Sequence, residues 1–433
     1  MSIGLLKVAE RAERDPSARF NSLAHLIDEA ALKRAFDRIR QNAAVGIDGI
    51  TKDQYGQSLE DNLKGLQERM VAGRYRHQPI LRVHIPKDDG RTRPIGISTI
   101  EDKIVQGALR EILETIYEQD FKTCSYGFRP GRGAHDALRA VDQMAFRDGI
   151  TVVLEADIQA FFDSLDREKL KEMLQIRIAD PPLLRLIGKC LRVGVLDGNT
   201  ISEPEEGTAQ GSSISPMLGN VYLHYVLDVW FEDVIRPQLS NRARLIRYAD
   251  DFVIGFESQD DATRVLEMLR QRMAAHGLTL HPDKTRLVPF ARPRNGAKAK
   301  GKSGSPGTFD FLGFTIQWTE GRGGKWRLGM KTRKARLKKA LKAIGDWCRR
   351  HRHKSLKEQH AALSRRLRGH FNYFGVNGNY RSMSHFLNEA QRLWRKWLDR
   401  RSQRGRMTWN RFRAYLKAFP LPEPKIRVRI WAT

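Results

Sequence analysis

Apolar residues recur every three or four positions over several stretches of the chain, the spacing of one face of an α-helix. The first stretch, from Phe20 to Asn42, predicts one helix that ends near Gly46. Further helices are predicted around residues 104–116, 183–191, 262–269, 337–348, 356–374 and 386–397.

Strands are predicted where apolar residues alternate or run together between turn residues. They lie at residues 81–85, 93–97, 151–158, 244–255, 309–318 and 325–329. The turn chemistry of Asp88-Asp89-Gly90 makes the first two a hairpin. Helices combined with an antiparallel sheet predict an α+β fold.

Basic residues are concentrated at one end of the chain. The whole sequence holds 77 Lys and Arg against 50 Asp and Glu, but residues 325–433 alone hold 31 and 5. The same region carries six of the eight tryptophans. This pattern indicates a phosphate-binding surface over a packed helical core. The alternative is a solvated basic helix face, although so many uncompensated charges would repel one another.

Cysteine and membrane signals are weak. Cys124, Cys190 and Cys348 lie far apart without a C-x-x-C pair, which argues against disulfides and a cysteine zinc site. No apolar run approaches the roughly 18–20 residues of a membrane span. We therefore expect a cytoplasmic protein that is not embedded in a membrane.

Three aspartates are the candidates for chemistry. Asp157 ends an apolar strand, and Asp250-Asp251 lie inside the apolar segment 244–255. Such carboxylates are costly to bury unless a cation offsets their repulsion. Mg²⁺ fits, because it leaves positions open for substrate phosphates, and two ions would serve nucleotidyl transfer. The alternative is an ordinary pair of aspartates in a surface turn.

Seven short segments occur in an order that resembles the conserved boxes of reverse transcriptases. They are Lys87–Pro94 (KDDGRTRP), Tyr126–Pro130 (YGFRP), Ala156–Asp163 (ADIQAFFD), Gln210–Pro216 (QGSSISP), Tyr248–Asp251 (YADD), Gly277–Lys284 (GLTLHPDK) and Phe311–Phe314 (FLGF). Asn42–Thr51 and Gly369–Ile426 also resemble the fingers extension and the maturase domain of group II intron reverse transcriptases. The sequence to Thr433 lacks the cysteine pairs of a metal-dependent H-N-H endonuclease, so the resemblance is to the endonuclease-less bacterial type.

The resemblance implies a catalytic metal site. Asp157 and Asp250 would ligate two Mg²⁺ ions, with Mn²⁺ able to substitute. Asp251 would support them as the third catalytic residue, and the Ile158 carbonyl would complete one coordination shell.

Five residues are implied to bind the deoxynucleotide. Lys87 and Arg93 would reach its triphosphate from the two arms of the predicted hairpin, unless they are a solvated hairpin tip. Phe162 resembles the steric gate that crowds a ribose 2′-hydroxyl, unless it is a core residue, as we expect Phe161 to be. Gln210 would lie under the nucleotide. Lys284 would protonate the leaving pyrophosphate or is simply a surface lysine.

Template or other RNA would contact a second set of residues. Gly211 would allow close backbone approach, and Arg129 would brace fingers and template or have a structural role only. Arg365, Arg366 and Arg368 would bind RNA from the basic C-terminal region.

The implied architecture is a right-hand polymerase followed by a basic helical domain. We expect residues 1–150 to form the N-terminal extension and fingers, residues 151–324 the antiparallel palm, and residues 325–433 the all-α thumb or maturase domain.

The implied function is RNA-directed DNA synthesis with maturase activity on intron RNA. The expected partners are intron or other structured RNA, a DNA primer or target and dNTPs, with association with the nucleoid during integration. Two alternatives stay open: a domesticated enzyme of DNA repair, phage defence or CRISPR adaptation, and an RNA-binding splicing factor with a relict site.

Overall fold

The computed structural model describes residues 2–86, 92–197, 200–202, 207, 211–293, 307–402 and 406–431. Within these residues, the side chains of Pro86, Arg93, Ile201 and Arg322 are not described. The predicted turn at Asp88-Asp89-Gly90, Lys87 and Gln210 lie outside the described residues.

Helices and strands alternate irregularly, which confirms the α+β prediction. The helices are α1 (Ile3–Arg14), α2 (Glu29–Arg38), α3 (Lys52–Gly56), α4 (Leu59–Val71), α5 (Ile100–Asp120), α6 (Ala134–Arg147), α7 (Arg167–Arg177), α8 (Pro181–Leu191), α9 (Ser215–Leu223), α10 (Gln259–Ala275), α11 (Lys334–Arg350), α12 (Leu356–Phe374), α13 (Tyr380–Asp399) and α14 (Trp409–Ala418). The strands are β1 (Ile80–Pro86), β2 (Thr92–Ile97), β3 (Val152–Asp157), β4 (Val195–Asp197), β5 (Thr200–Ser202), β6 (Ala243–Tyr248), β7 (Asp251–Phe256), β8 (Arg286–Pro289), β9 (Phe309–Phe311), β10 (Phe314–Glu320) and β11 (Trp326–Thr332).

The strands of the described residues form three sheets. The central sheet has the order β6-β7-β3-β8 and is antiparallel throughout. A second sheet, β2-β1-β4-β5, joins two hairpins through the parallel pair β1 and β4. A third, β11-β10-β9, is antiparallel. It leads directly into the C-terminal helices α11–α14.

The central sheet separates two hydrophobic cores, because successive strand residues point to opposite faces. Leu154 and Phe252 face the core that includes α5, α9 and α10. Val153 and Val253 face a second core with α6 and the third sheet. The C-terminal helices enclose a third core that includes Trp394. The carboxylate-bearing ends of β3 and β7 are therefore fixed from both sides.

The prediction of one helix over Phe20–Asn42 is wrong in its extent. Residues 24–26 form a single 3-10 turn, and α2 begins only at Glu29, where the Asp28 side chain caps the Ala31 amide at 2.7 Å. The Asp180 carboxylate accepts hydrogen bonds from Leu23 and Ala24, which holds this segment out of a helix. That partner is 157 residues away along the chain and cannot be recognised from helical periodicity.

The prediction of one strand over Arg244–Gly255 is also wrong. The segment is a hairpin, in which β6 and β7 pair antiparallel from Tyr248 opposite Asp251 outward. Ala249 adopts a φ of +56° at the turn, a left-handed conformation that a continuous strand does not contain. The aspartate pair therefore lies at a turn, with Asp251 at the first position of β7.

The prediction of one strand over 309–318 is wrong, because a turn at Leu312 and Gly313 divides the segment into β9 and β10. The other predicted elements are found with small shifts of their ends. No individual element was predicted at α1, α3, α4, α6, α7, α9, α14, β4, β5 or β8. The boundary predicted between 324 and 325 falls in the turn between β10 and β11. The division into three domains stays a prediction. None of the helices in the described ranges is long and apolar enough to cross a membrane.

Candidate active site

Three aspartates meet at one end of the central sheet. Asp157, the last residue of β3, is the direct cross-strand partner of Asp251, the first residue of β7. Asp250 precedes Asp251 in the β6–β7 turn. The hairpin and the antiparallel pairing thus bring together carboxylates that lie about 93 positions apart in the sequence.

Asp251 carries the clearest electrostatic signal of the three. Burial raises its pKa to about 7, and the nearby charges of Asp250, Asp157 and Glu155 act in the same direction. The opposing influence is a hydrogen bond of 3.3 Å from the Leu312 amide to Asp251 Oδ2. A carboxyl group with this pKa is poised to exchange its proton for a cation near neutral pH.

Lys284 already compensates part of the negative charge. Its Nζ lies 2.5 Å from Asp157 Oδ2, and its side chain is 53% exposed. The lysine thus lies at the surface and also contacts a candidate catalytic carboxylate. The general-acid role stays a prediction.

The backbone beyond β3 is held by a loop that precedes Lys284. The His281 amide donates to the Asp157 carbonyl at 2.8 Å, and the Gln159 amide donates to the Thr279 carbonyl at 2.8 Å. Ile158 between them forms a bridge with Leu280 and its side chain is buried. Whether the Ile158 carbonyl ligates a metal stays a prediction.

A cavity of about 440 Å³ opens beside the carboxylates. Its lining includes Asp157, Asp251, Lys284, Arg333 and Arg336. Carboxylates and cations alternate in this lining, since Lys284 pairs with Asp157 and Arg333 with Asp310. Both kinds of group suit a ligand that carries metal-binding and free phosphate oxygens.

The predicted metal ligands have oxygen donors that suit Mg²⁺, but their side chains are not arranged as a ligand cluster. Within the described part of the chain, no group of three or more His, Cys, Asp or Glu side chains is arranged to hold a metal ion. The raised pKa of Asp251 nevertheless marks charge that a divalent cation would neutralise. Asp157, Asp250, Asp251 and Ile158 therefore remain the predicted ligands.

A buried arginine stabilises the turn between β6 and β7. Arg247, fully buried on β6, forms an ion pair with the fully buried Asp228 at 2.5 Å. Its guanidinium also donates to the Ala249 carbonyl at 3.1 Å and to Asn220 Oδ1 at 3.0 Å. Asn220 in turn donates to the Gly127 carbonyl at 2.8 Å. The network joins the segments 126–130 and 248–251.

Gly127 explains why these two segments fit together. A Cβ atom at this position would lie 2.4 Å from the Ala249 nitrogen, closer than real Cβ contacts allow. Glycine is therefore required for the close approach of the two backbones.

Phe162 lies next to the site, in the segment that follows Asp157. Its ring packs edge-on against Phe161, with 5.1 Å between ring centroids, and is only partly buried. Phe161 is 3% exposed and belongs to the first core, which confirms its predicted packing role. The gate role of Phe162 stays a prediction that its partial exposure permits.

The predicted nucleotide-binding segments are only partly described. Arg93 lies on β2 opposite Ile85, but its side chain is not described. Gly211 has a φ of +110°, and a Cβ there would lie 2.4 Å from the Gly96 carbonyl oxygen of β2. The close approach at Gly211 is thus to the protein backbone of the second sheet.

Arg129 is oriented into the protein. It is 7% exposed, forms an ion pair of 3.0 Å with Glu118, and donates to the carbonyls of Lys122 and Ser125. The guanidinium carbon of Arg129 also lies 5.1 Å from the centre of the Phe121 ring, which adds a cation–π interaction. This geometry favours the structural alternative for Arg129, while a template contact stays untested.

The three basic residues predicted on α12 are all exposed. Arg366 lies over the Trp347 ring at 4.6 Å, which holds one cation against the helical core. The pattern is the predicted one of surface cations over buried aromatics.

Sequence reasoning missed several residues around a larger cavity of about 1030 Å³. Its lining includes Arg38, Arg40, Lys103, Arg110 and Gly211. Arg247 was missed as well, although a charge inside the apolar run LIRY was a usable signal. Arg38, Lys103 and Arg110 lie on the amphipathic helices α2 and α5, and Arg40 lies just beyond the end of α2, so no local signal distinguishes them from surface cations. Gly211 alone of this set was predicted.

Comparison with known proteins gives a consistent picture. Residues 85–316 match the family described as reverse transcriptase (RNA-dependent DNA polymerase). The chain is 33% identical over 321 residues to Protein YkfC of Escherichia coli strain K12, across 65% of this chain and 83% of that protein. It is 35% identical over 191 residues to the group II intron-encoded protein LtrA of Lactococcus lactis subsp. cremoris.

The match to intron-encoded relatives is partial. The LtrA match covers 44% of this chain and 32% of that protein. An uncharacterized 91 kDa protein in the cob intron of Schizosaccharomyces pombe is 29% identical over 306 residues, which is 38% of its length. The chain thus spans about a third of these two relatives.

Proposed function

The chain belongs to the reverse transcriptase (RNA-dependent DNA polymerase) family, and we propose that it is an RNA-directed DNA polymerase of the group II intron-encoded type. The observation that carries this proposal is the pairing of Asp157 with Asp251 beside the Asp250 turn, inside the matched region. Substrates would be dNTPs, a DNA primer or target, and an intron or other structured RNA template.

Two Mg²⁺ ions are the proposed cofactor, held by Asp157, Asp250 and Asp251 with the Ile158 carbonyl. When bound, such ions lower the pKa of an attacking hydroxyl and stabilise negative charge on a departing pyrophosphate. The chain's own residues orient the reactants: Lys284 neutralises Asp157, and the Leu312 amide fixes the Asp251 carboxylate. Phe162 would crowd a 2′-hydroxyl and so favour deoxynucleotides.

The template is proposed to enter through the cavity lined by Arg38, Arg40, Lys103 and Arg110. Arg38 and Arg110 already pair with Glu111 and Glu114 of the same cavity, so Arg40 and Lys103 would be the first to pair with RNA phosphates. The basic C-terminal region would grip the A-form duplex by its shape and phosphates, without reading the bases. We place fingers in residues 1–150, the palm in 151–324 and the thumb in 325–433.

Maturase activity is the second part of the proposal. It is supported by the similarity to an intron-encoded relative and by the exposed cations of α12. The protein would bind its parent RNA and stabilise the folded form, with the splicing chemistry performed by the RNA. A domesticated enzyme of repair or defence is the alternative, and it would bind mixed cellular RNA.

Magnesium-dependent extension of oligo(dT) on poly(rA) tests the polymerase directly. We expect the wild type to make DNA and Asp250→Ala to lose at least about a thousand-fold in rate, because several kcal/mol of charge stabilisation disappear. RNA affinity should stay nearly unchanged, since it depends on the C-terminal cations. An active Asp250→Ala variant would contradict the catalytic assignment.

Sequencing the RNA that co-purifies through a high-salt wash tests the maturase part. One structured RNA whose splicing at low magnesium needs the protein would support it. Mixed cellular RNA, together with strong DNA synthesis on any template, would favour a domesticated enzyme.

A further inference from the structure

The two-residue turn between β9 and β10 has an unusual backbone. Leu312 and Gly313 have φ angles of +51° and +79°, both in the left-handed region. Gly313 adopts this conformation freely, but a leucine there is strained by its Cβ atom. Something outside the turn must hold Leu312 in place.

The polar groups of the turn are tied to three parts of the protein. The Leu312 amide donates to Asp251 Oδ2 at 3.3 Å, and the Leu312 carbonyl accepts from the Tyr373 hydroxyl at 2.8 Å. The Gly313 carbonyl accepts from the Arg333 amide at 3.0 Å. One residue, Leu312, thus lies between the Asp251 carboxylate and a tyrosine of α12.

The Tyr373 ring is itself well fixed. It stacks on Phe314, with 5.9 Å between centroids and 26° between planes, and packs edge-on against Phe374. The His135 ring of α6 lies within hydrogen-bond distance, 2.8 Å, of the Tyr373 carbonyl. Tyr373 is 36% exposed, and its partial burial raises the pKa to about 12, so its hydroxyl keeps its proton and remains a donor at any working pH.

We propose that Tyr373 is a positioning residue for DNA synthesis: its hydroxyl holds the Leu312 carbonyl, and this fixes the conformation of Leu312 so that its amide stays directed at Asp251. The proposal rests on the proposed polymerase function for its kinetic part only. It assigns the last turn of α12 a role in the catalytic centre that is separate from RNA binding.

The hydroxyl can be separated from the ring. Phenylalanine would keep the stack on Phe314 but could not donate to the Leu312 carbonyl. Tyr373→Phe is therefore the test variant. Tyr380→Phe is the matched control, because Tyr380 belongs to α13 of the same helical region and is 54% exposed.

The first measurement is hydrogen exchange of a peptide spanning residues 309–316 in the metal-free protein. Tyr373→Phe should exchange about five-fold faster in this peptide, as expected for the loss of one neutral hydrogen bond that stabilises the closed turn. Tyr380→Phe should match the wild type. Unchanged exchange in Tyr373→Phe would overturn the proposal.

The second measurement is single-nucleotide addition to a bound primer and template. Tyr373→Phe should lower the maximal rate about five-fold, with affinities for nucleotide and primer–template within about two-fold of the wild type. A loss of affinity with an unchanged maximal rate would show a binding role instead. Faster exchange with normal kinetics would also overturn the positioning role.

The two readouts keep the hypotheses distinguishable. If the wild type makes no DNA, the proposed polymerase function fails. The exchange measurement then still decides whether the Tyr373 hydroxyl holds the Leu312 turn, and unchanged exchange would overturn that contact independently.

Discussion

At the residue scale, the proposed chemistry depends on Asp251, whose carboxyl group is costly to ionise. Burial and the neighbouring carboxylates raise its pKa to about 7, against 3.8 for a free aspartate. Burying this carboxyl group lowers the stability of the folded state, as is common at catalytic sites. We expect the negative charge of Asp251 to take part in the reaction only when a bound cation offsets it.

The raised pKa of Asp251 predicts that the free energy of unfolding of the metal-free protein depends on pH. The folded state keeps a proton on Asp251 up to about pH 7, whereas the unfolded carboxyl releases it near 3.8. The stability contributed by this proton is fully present below about pH 4 and is lost as pH rises through 7. Between those limits, the free energy of unfolding of Asp251→Asn should rise by about 1–3 kcal/mol relative to the wild type, the carboxylate being partly exposed.

Denaturant unfolding of both proteins in EDTA, at intervals from pH 4 to pH 8, measures this difference. The two curves should separate as pH rises. Parallel curves would mean that Asp251 titrates as an ordinary surface carboxylate, and the interpretation of its burial would be wrong.

Phe162 gives a second prediction at this scale. Phe162→Ala should raise the incorporation of ribonucleotides relative to deoxynucleotides by about tenfold or more, because the ring would no longer exclude the 2′-hydroxyl. The ratio of the two rates of single-nucleotide addition measures it. An unchanged ratio with normal deoxynucleotide addition would return Phe162 to the role of a packing residue.

The candidate site was predictable at this scale only where a residue type has a local signature. The three aspartates, Phe161 and Lys284 could be identified from their own neighbours in the sequence. Tyr373 and the Leu312 turn could not, because their hydrogen bond joins residues 61 positions apart and neither carries a charge.

At the element scale, the β6–β7 hairpin is the decisive unit. Its turn positions Asp250, and Arg247 holds that turn through the Ala249 carbonyl. The arginine is needed because a turn with a left-handed alanine is not stable by its own propensity. The geometry of the proposed catalytic turn thus depends on a fully buried ion pair.

Arg247→Met should therefore destabilise the protein by about 3–5 kcal/mol, since Asp228 would be left buried and unpaired. Adding Asp228→Asn should recover part of the loss. Arg244→Met is the control: its pair with Asp148 is partly exposed, and its loss should cost less than about 1 kcal/mol. Denaturant unfolding measures the free energy of unfolding of the wild type and of the three variants. Equal losses of stability in Arg247→Met and Arg244→Met would contradict the network.

Element prediction succeeded where periodicity alone decides the structure and failed where a distant partner does. The strands β1, β2 and β3 and the long helices follow their apolar patterns. The segments 20–28 and 244–255 do not, because Asp180 and Arg247 bind backbone groups there and impose turns. The segment 309–318 is also divided, by the turn at Leu312 and Gly313. An apolar run around a charged pair is as compatible with a hairpin as with one strand.

At the scale of the whole molecule, charge divides the chain into two parts. Nearly the entire excess of Lys and Arg lies in residues 325–433, whereas the aspartates lie in the almost neutral remainder. This distribution leads us to expect that binding of the polyanion and the chemistry on it are carried by different surfaces. Mutations should affect them separately.

The salt dependence of RNA binding tests this separation. Replacing Arg365, Arg366 and Arg368 with Gln should make the negative log–log slope of RNA affinity against salt concentration less steep by about 2–3. Each lost phosphate contact accounts for about 0.7–0.9 of this change. Replacing Lys171, Arg264 and Arg270, three exposed cations elsewhere, should change the slope by less than about 1. Equal changes for both triple variants would show that binding is spread over the whole surface.

The core around α6 has a consequence for how the protein is made. It combines Val153 and Val253 of the central sheet with Val376 and Ile430, so residues nearly 300 positions apart close a single hydrophobic cluster. A ribosome releases these parts in order, and the early strands must wait, with one face uncovered, until the late segment emerges. A newly made chain can therefore complete this cluster only after residues 376–430 have been synthesised, and until then the uncovered face of its central sheet is open to chaperones.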